Sequence, residues 1–263
     1  MVDAEEAQTE ALRTDHRGDY WGPITANFRD DPRREGDALV EALAGLVDAD
    51  STVLDVGAGA GRLALPLALR CRGVVAVEPS EAMCHAFSEQ AAQHGIENYD
   101  LVQSSWEDAR VEPADLAFAA HVVYVIRAVG EFIDKLAAHA TGTAALVVTH
   151  RAPVSQFDQW WSAVHGVERL PLPALPELLD LLWERGVYPN VRMLPSYEPA
   201  GFKDEGEAFS ALRHRLFIGS EQSESGERLR RAIPELLKPS ERGLVLKKPH
   251  VHQLALVHWP VGG

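Results

Sequence analysis

Three glycines at alternating positions are the first residues of this chain whose spacing suggests chemistry. Gly57, Gly59 and Gly61 come directly after the apolar run 53–56. Glycine lets a backbone turn tightly and lets a ligand lie against the main chain, and a helix that begins after the loop offers unpaired N–H groups. Glu78 ends the next apolar run, where a carboxylate can accept two hydrogen bonds from ribose hydroxyls. The spacing predicts a strand–helix–strand unit that binds a nucleoside.

Two residues of the loop oppose a dinucleotide as the ligand. The dinucleotide fingerprint is Gly-x-Gly-x-x-Gly, and the position of its third glycine is occupied here by Arg62. Asp55 stands two residues before the first glycine. Its carboxylate would repel a pyrophosphate, whereas it suits a cationic group such as an amino acid ammonium. The loop therefore favours a nucleoside that carries a positive charge.

The segment Val-Leu-Asp-Val-Gly-Ala-Gly-Ala-Gly-Arg at 53–62 resembles motif I of the class I S-adenosylmethionine-dependent methyltransferases, an acidic residue followed by Gly-x-Gly-x-Gly. The resemblance extends to Glu78 and covers residues 36–150. It implies S-adenosylmethionine as the cofactor, with Asp55 facing the methionine ammonium and Glu78 holding the ribose. The residues that it implies for cofactor binding are Asp55, Gly57, Ala58, Gly59, Glu78, Pro79, Ser105, Trp106, Glu107 and His121.

The loop after the third predicted strand would form the adenine side of the pocket. The family commonly has an Asp-Ala pair there, whereas this chain has Ser105, Trp106 and Glu107. On the resemblance, Ser105 or Glu107 would take the polar role and Trp106 would pack on the adenine, with Pro79 and Met83 lining the same side. Packing of Trp106 into the core is the competing interpretation.

The resemblance implies that the residues after the fourth predicted strand pass the methionine end of the cofactor and its transferable methyl group. Methyl transfer is an in-line displacement in which the sulfonium is already activated, so the protein contributes positioning and exclusion of water. An oxygen acceptor often needs a general base. His121, Tyr124 and His150 are candidates between which the sequence does not decide, and a nitrogen acceptor would need no base.

The sequence favours a small molecule as the methyl acceptor, through either an oxygen or a nitrogen. It lacks the Asn/Asp-Pro-Pro-Tyr motif typical of amino-directed DNA and protein methyltransferases of this class. It also lacks a metal-ligand constellation, so no metal is predicted. Two other functions stay open, an NAD-dependent oxidoreductase and a non-catalytic module that binds a nucleoside. Binding of S-adenosylmethionine rather than NAD would exclude the first of these, and methyl transfer would exclude the second.

Apolar segments alternate with helical periodicity, which is typical of a parallel α/β sheet covered by helices on both faces. We expect a Rossmann-like, doubly wound sheet of seven mostly parallel strands. The predicted strands are 53–56, 74–77, 99–103, 114–120, 143–149, 187–197 and 251–259. The predicted helices are 36–48, 61–69, 80–94, 129–140, 156–165, 175–185, 204–218 and 224–237.

Together with the resemblance, this pattern predicts a single methyltransferase domain over residues 1–263. Its parts would be an N-terminal extension or lid (1–35), a cofactor-binding core (36–150) and an acceptor-side half (151–263). On the resemblance, Tyr20 and Trp21 would fold over the cofactor, and ordinary packing of the two side chains is the competing interpretation. A helical insertion at about 198–245 separates the last two predicted strands and is too long for a simple connection. It would cap the acceptor site or form the surface of a homodimer.

The composition makes nucleic acid and membranes poor candidates as partners. The chain has 39 Asp+Glu against 25 Lys+Arg, a net charge of −14, whereas phosphate-rich partners need clustered Lys and Arg. Only residues 201–263 are weakly basic, with 10 basic and 8 acidic residues. With two cysteines, no apolar run of membrane length and no signal-peptide pattern, the sequence predicts a cytoplasmic protein with reduced thiols.

Overall fold

The computed structural model describes residues 1–10, 12, 25 and 28–262. Seven strands form a sheet in the order β3-β2-β1-β4-β5-β9-β6. The pairs β1–β2, β2–β3, β1–β4 and β4–β5 are parallel, and β6 is antiparallel to β9. This is the predicted sheet of seven mostly parallel strands. Its strands are β1 (Thr52–Val56), β2 (Gly73–Val77), β3 (Tyr99–Val102), β4 (Ala114–Ala120), β5 (Ala140–Thr149), β6 (Asn190–Met193) and β9 (Leu254–Pro260).

Helices accompany the sheet and fill the C-terminal insertion. They are α1 (Val2–Glu10), α2 (Ala38–Ala44), α3 (Ala64–Ala68), α4 (Glu81–His94), α5 (Val129–Ala138), α6 (Asp158–His165), α7 (Leu175–Glu184), α8 (Glu205–Arg215) and α9 (Glu224–Leu236). Short 3₁₀ helices span Val123–Val125 and Pro153–Phe157. A hairpin of β7 (Leu237–Ser240) and β8 (Gly243–Leu246) follows α9. In the part of the chain that the structure describes, no helix has the length and apolarity needed to cross a membrane.

The chain divides into two compact units. The sheet unit comprises the described residues of Arg17–Val148, Leu175–Pro195 and Leu254–Gly263. The helical unit comprises those of Met1–His16, Thr149–Ala174 and Ser196–Gln253, and so contains the predicted insertion at about 198–245. Whether the two units act as the single domain that the sequence predicts stays a prediction.

The predicted boundaries of α4 hold because the sequence carries capping residues at both of its ends. The Ser80 side chain accepts a hydrogen bond from the Met83 N–H at the start of α4, and Gly95 ends that helix in the left-handed conformation. Asp37 caps α2, which ends at Gly45 and is therefore shorter than the predicted 36–48. Pro66 lies in the first turn of α3, where a missing N–H costs no helical hydrogen bond.

The core of the sheet unit consists of side chains from the central strands and the helices that cover them. Val53, Leu54, Leu65, Phe87 and Phe118 are all fully buried. Burial of β1 and β4 explains why these strands are almost continuously apolar rather than alternating. Both cysteines are buried and free, as predicted.

The helical unit has its own core, and α1 is fixed to it by a buried ion pair. Trp160 and Trp161 of α6 pack with apolar side chains of α8 and α9. The Arg169 guanidinium donates to Glu5 of α1 at 2.7 Å, with both side chains buried, and stacks over the Trp161 ring. Removing one member of such a pair leaves an uncompensated buried charge, so the pair holds α1 in this unit.

Buried His252 should make the stability of the helical unit depend on pH in the acid range. Burial and, to a smaller extent, charge repulsion by the neighbouring His250 together lower the pKa of His252 from 6.5 to about 4. The unfolded chain therefore binds more protons than the folded one between these values, and stability falls as the pH falls through this window. We expect His252→Phe to flatten that slope. Hydrogen exchange of α6, α8 and α9 at pH 4 to 7 measures it, and an equal slope in the variant would contradict the assignment.

Candidate functional site

The glycine loop after β1 adopts backbone conformations that glycine favours, as its sequence predicts. Gly57, Gly59 and Gly61 have φ angles of +78°, +56° and +84°, in the left-handed region that favours glycine. The N–H groups of Gly57 and Ala58 donate to the Val77 carbonyl at 2.8 and 3.2 Å. The loop is thereby fastened to the end of β2, the strand that delivers Glu78.

The three glycines differ in the space beside them. A Cβ added to Gly57 would lie 2.6 Å from Cγ2 of Val122, and one added to Gly61 would lie 2.8 to 2.9 Å from side-chain atoms of Leu65 and Phe87. A Cβ added to Gly59 would meet no atom within 4 Å. Gly57 and Gly61 are therefore required by packing within the protein, whereas the main chain at Gly59 borders open space that a ligand can use.

Glu78 lies beside this loop, as the sequence predicted. Its carboxylate accepts hydrogen bonds from the Gly59 N–H at 2.9 Å and from the Ser80 N–H at 2.9 Å. The residue is only 6% exposed. Glu78 therefore holds the glycine loop in place in addition to any contact that it makes with a ligand.

Asp55 is a buried carboxyl group with an unpaired oxygen. It is 2% exposed, and among the described residues its Oδ1 has no hydrogen-bond partner. Burial raises its pKa well above the usual range, and the negative charge of Glu78 raises it further. A buried polar atom without a partner is destabilising. The group is therefore suited to a cation that would supply both a hydrogen bond and a charge.

The Arg62 side chain binds Asp37, the residue that caps α2. It donates to Asp37 at 2.9 Å, and Arg34 binds the same carboxylate. Burial raises the pKa of Asp37, but the Val40 N–H and these two guanidinium groups lower it to below its ordinary value in total. Arg62 therefore helps to hold the N-terminal end of α2. The sequence did not indicate this pairing.

The loop after β3 is organised by its own side chains and by α5. Ser105 Oγ donates to the Asp108 carboxylate at 3.0 Å and accepts the Asp108 N–H at 3.3 Å, while Glu107 is exposed. Trp106 is buried, and its indole N–H donates to the Phe132 carbonyl at 3.4 Å. The Lys135 ammonium lies 4.5 Å from the centre of the Trp106 ring. These contacts are those of a core residue, and an additional contact of Trp106 with adenine stays a prediction.

The other predicted pocket residues lie at the start of α4. Pro79 is exposed, whereas Met83 is buried and packs with Ala60 and Ala86. Tyr20 and Trp21, the predicted lid, lie outside the described residues. Arg29 is described and pairs with Glu89 of α4 at 2.5 Å.

The three candidate bases are divided between the two units. His121 and Tyr124 follow β4 in the sheet unit, and Nδ1 of His121 lies 3.2 Å from Oη of Tyr124. His150 belongs to the helical unit, where it is exposed and its backbone N–H donates to the Gln253 carbonyl at 2.8 Å. Among the described residues, no group of three or more His, Cys, Asp or Glu side chains is placed to hold a metal ion.

Part of the sheet unit matches a known protein family. The model of the methyltransferase domain family matches residues 53–143, which include β1, the glycine loop and Glu78. Residues 53–143 match a methyltransferase domain. This match supports the family that the sequence predicted, while the activity and the cofactor belong to the proposed function.

One relative in sequence and two solved structures are similar to this chain. An uncharacterized protein of Haemophilus influenzae is 28% identical over 169 residues, which are 63% of this chain and 60% of that relative. The match thus spans less than two thirds of the relative's length. The structure of YcgJ from Bacillus subtilis has a TM-score of 0.56 at 16% identity and covers 85% of this chain and 98% of its own. Magnesium protoporphyrin IX methyltransferase from Synechocystis, with bound S-adenosylhomocysteine, has a TM-score of 0.50 at 12% identity and covers 99% and 95%.

Replacement of Glu78 tests its observed bond to the glycine loop together with its predicted contact with the cofactor. We expect Glu78→Ala to weaken S-adenosylmethionine binding by about 1–3 kcal/mol, the scale of hydrogen bonds to a charged group. The loss of the observed bond to the Gly59 N–H would add disorder of the loop to the loss of the predicted ribose contact. Calorimetric titration measures the affinity, with Glu81→Ala, an exposed acid in the first turn of α4, as the matched control. Unchanged affinity in Glu78→Ala would remove this residue from the cofactor site.

Proposed function

We propose that the protein transfers the methyl group of S-adenosylmethionine to a small-molecule acceptor through an oxygen or nitrogen nucleophile. The observation that carries this proposal is Asp55. Its buried Oδ1 lacks a partner among the described residues, beside a glycine loop that borders open space at Gly59. An α-ammonium group fits that vacant hydrogen-bonding capacity, and it neutralises the charge that makes burial of Asp55 costly.

The residues of the site fit the remaining parts of the same cofactor. Glu78 would hold the ribose hydroxyls, and the backbone of Gly57, Ala58 and Gly59 would lie against the methionine and ribose. On the adenine side we propose Pro79, Ser105, Trp106 and Glu107, and His121 at the methyl end. The bound cofactor supplies an activated methyl group. The protein's own residues then orient the acceptor and exclude water.

Electrostatics argue against NAD as the ligand. Asp55 and Glu78 are both acidic and buried, and each raises the cost of placing a second negative group beside them. A pyrophosphate carries negative charge, whereas the ammonium and sulfonium of S-adenosylmethionine carry positive charge. The net charge of −14 likewise supports a small-molecule acceptor over a nucleic acid. A cytoplasmic location and a homodimer remain predictions from the sequence.

Calorimetric titration of the full chain with S-adenosylmethionine, S-adenosylhomocysteine and NAD tests the proposal. We expect both sulfur compounds to bind and NAD not to bind. Tight NAD binding without a response to the sulfur compounds would favour the oxidoreductase instead. Transfer of a labelled methyl group into a small-metabolite extract then separates an enzyme from a module that only binds a nucleoside, since only the enzyme gives a labelled product.

A further inference from the structure

We propose that His121 is the general base of the methyl transfer, and that the acceptor group is a hydroxyl of a small molecule. This inference rests on the methyl transfer proposed above. It assigns a role to a residue among three candidates that the sequence left open, and it narrows the acceptor to a group that must lose a proton.

The position of His121 in the sheet places it next to the glycine loop. Strands β1 and β4 are parallel neighbours, with Val56 opposite Ala119. His121 therefore leaves β4 at the same edge at which Gly57 leaves β1. The following residue makes the contact direct, since Cγ2 of Val122 is the atom that a Cβ on Gly57 would meet at 2.6 Å. The segment that carries His121 thus packs on the loop assigned to the cofactor.

The backbone of His121 is held in an unfavourable conformation. Its φ angle is +60°, in the left-handed region that costs free energy for a residue with a Cβ. Its N–H donates to the Val147 carbonyl at 2.9 Å, which fixes this turn to β5, while the residue is exposed. Strained residues of this kind concentrate at functional sites. A glycine would adopt the same conformation without strain. The presence of a histidine here instead suggests that its side chain has a role.

Tyr124 is suited to position the imidazole in both of its protonation states. The rings of His121 and Tyr124 are stacked at an angle of 20°, and Nδ1 lies 3.2 Å from the Tyr124 hydroxyl, on a buried side chain. A hydroxyl both donates and accepts. In the proposed role, Nδ1 carries the proton and donates a hydrogen bond to the Tyr124 hydroxyl, which leaves Nε2 basic, and the hydroxyl keeps accepting after Nε2 has taken a proton. Tyr124 is thus a positioning residue.

The proton step balances as follows. The acceptor oxygen uses a lone pair to form the new O–C bond, the electrons of the broken C–S bond stay on sulfur, and the hydroxyl proton passes to Nε2 of His121. The imidazolium later releases that proton to solvent. An amine that attacks as the neutral base would need no such partner during bond formation.

Two phenolic probes of different acidity test the assignment with labelled S-adenosylmethionine. At pH 8, phenol is almost fully protonated, since phenolic groups have a pKa of about 10, whereas 4-nitrophenol is mostly ionised. We expect His121→Gln to lower the rate with phenol by about 10²-fold or more, and to have little effect with 4-nitrophenol. His85→Gln, an exposed histidine on α4, is the control and should leave both rates unchanged. Equal rates of wild type and His121→Gln with phenol would overturn the proposal, as would methylation of an amine probe such as benzylamine with neither phenol accepted.

A second measurement needs no turnover and decides the case if no probe is methylated. Nitrogen-15 NMR of the complex with S-adenosylhomocysteine reports the tautomer of His121. We expect Nδ1 to carry the proton in the wild type, and Tyr124→Phe to shift the equilibrium toward the other tautomer. A proton on Nε2 in the wild type would overturn the proposal. If S-adenosylhomocysteine does not bind at all, the proposed methyl transfer itself fails, which is a distinct result.

A purely structural role for His121 predicts a different outcome. Because glycine relieves the left-handed strain, His121→Gly should melt at the same or a higher temperature than the wild type while the rate with phenol falls. A lower melting temperature with an unchanged rate would show that the side chain serves the fold and would overturn the assignment.

Discussion

Replacing Asp55 by Asn should weaken binding of S-adenosylmethionine by about 3 kcal/mol, on the order of 100-fold in Kd. The reason is that the carboxylate is buried, with an oxygen that has no partner among the described residues. An ammonium group at this site would form a desolvated ion pair, and the loss of one member of such a pair is costly. Calorimetric titration with S-adenosylmethionine at pH 8 measures the effect.

The same substitution should have an opposite effect on the free protein. The folded state raises the pKa of Asp55, so between the ordinary value and the raised one the folded chain binds more protons than the unfolded chain. Stability of the wild type therefore falls as the pH rises through that window, and Asp55→Asn removes this slope. Urea unfolding at pH 5 and pH 8 measures the free energy of unfolding of both proteins. Relative to the wild type, the variant should be more stable at pH 8 than at pH 5.

Asp115 provides the matched control at the start of β4. Its carboxylate accepts hydrogen bonds from the Thr52 N–H and hydroxyl at 2.7 and 2.8 Å, and these lower its pKa. Asp115→Asn should therefore reduce stability and leave the affinity for S-adenosylmethionine unchanged. If Asp55→Asn kept wild-type affinity, or lost affinity no more than Asp115→Asn, Asp55 would not contact the cofactor.

Alanine at Gly61 and at Gly59 should separate packing from ligand binding within the glycine loop. Gly61→Ala combines left-handed strain of about 1–2 kcal/mol with overpacking against Leu65 and Phe87, which typically costs about 1–3 kcal/mol. We expect a total destabilisation of about 2–5 kcal/mol. Gly59→Ala carries the strain alone, because nothing lies within 4 Å of its added Cβ.

The order of effects should reverse for cofactor affinity. The Cβ of Gly59→Ala would enter the open space assigned to the cofactor, so we expect a loss on the order of 10-fold or more in Kd, equivalent to about 1.4 kcal/mol. Gly95→Ala is the control for strain alone, since Gly95 has a φ of +63° with nothing within 4 Å and ends α4. Thermal unfolding and calorimetry at a temperature where all variants are folded make the comparison. Equal loss of affinity in Gly59→Ala and Gly95→Ala would place the cofactor away from this loop.

The methyltransferase core was predictable because its signals are local in sequence. The glycines sit in the one short turn between β1 and α3, Asp55 precedes them on the same strand, and Ser80 and Gly95 cap a single helix. Each of these depends on backbone conformations and hydrogen bonds within a few residues. The strand–helix alternation then implied a parallel sheet, which brings Glu78 to the edge at which the loop lies.

Other features depend on packing between segments that are far apart in the sequence, and no local pattern reports them. Trp106 rests on α5, Arg62 holds the cap of α2, and Val122 lies over Gly57. The β7–β8 hairpin was missed because each of its strands has only four residues, too few to show an apolar periodicity.

The sequence alone thus indicated the methyltransferase domain and supplied candidates for its cofactor and for the residues that bind it, because a nucleotide loop is encoded in a contiguous segment. Only the tertiary structure decided that Asp55 is buried with an unpaired oxygen and that Gly61 serves packing rather than a ligand. It alone also decided that His121 stands strained beside the loop. Burial, open space and strain are properties of neighbours brought together by folding, so a linear pattern does not contain them.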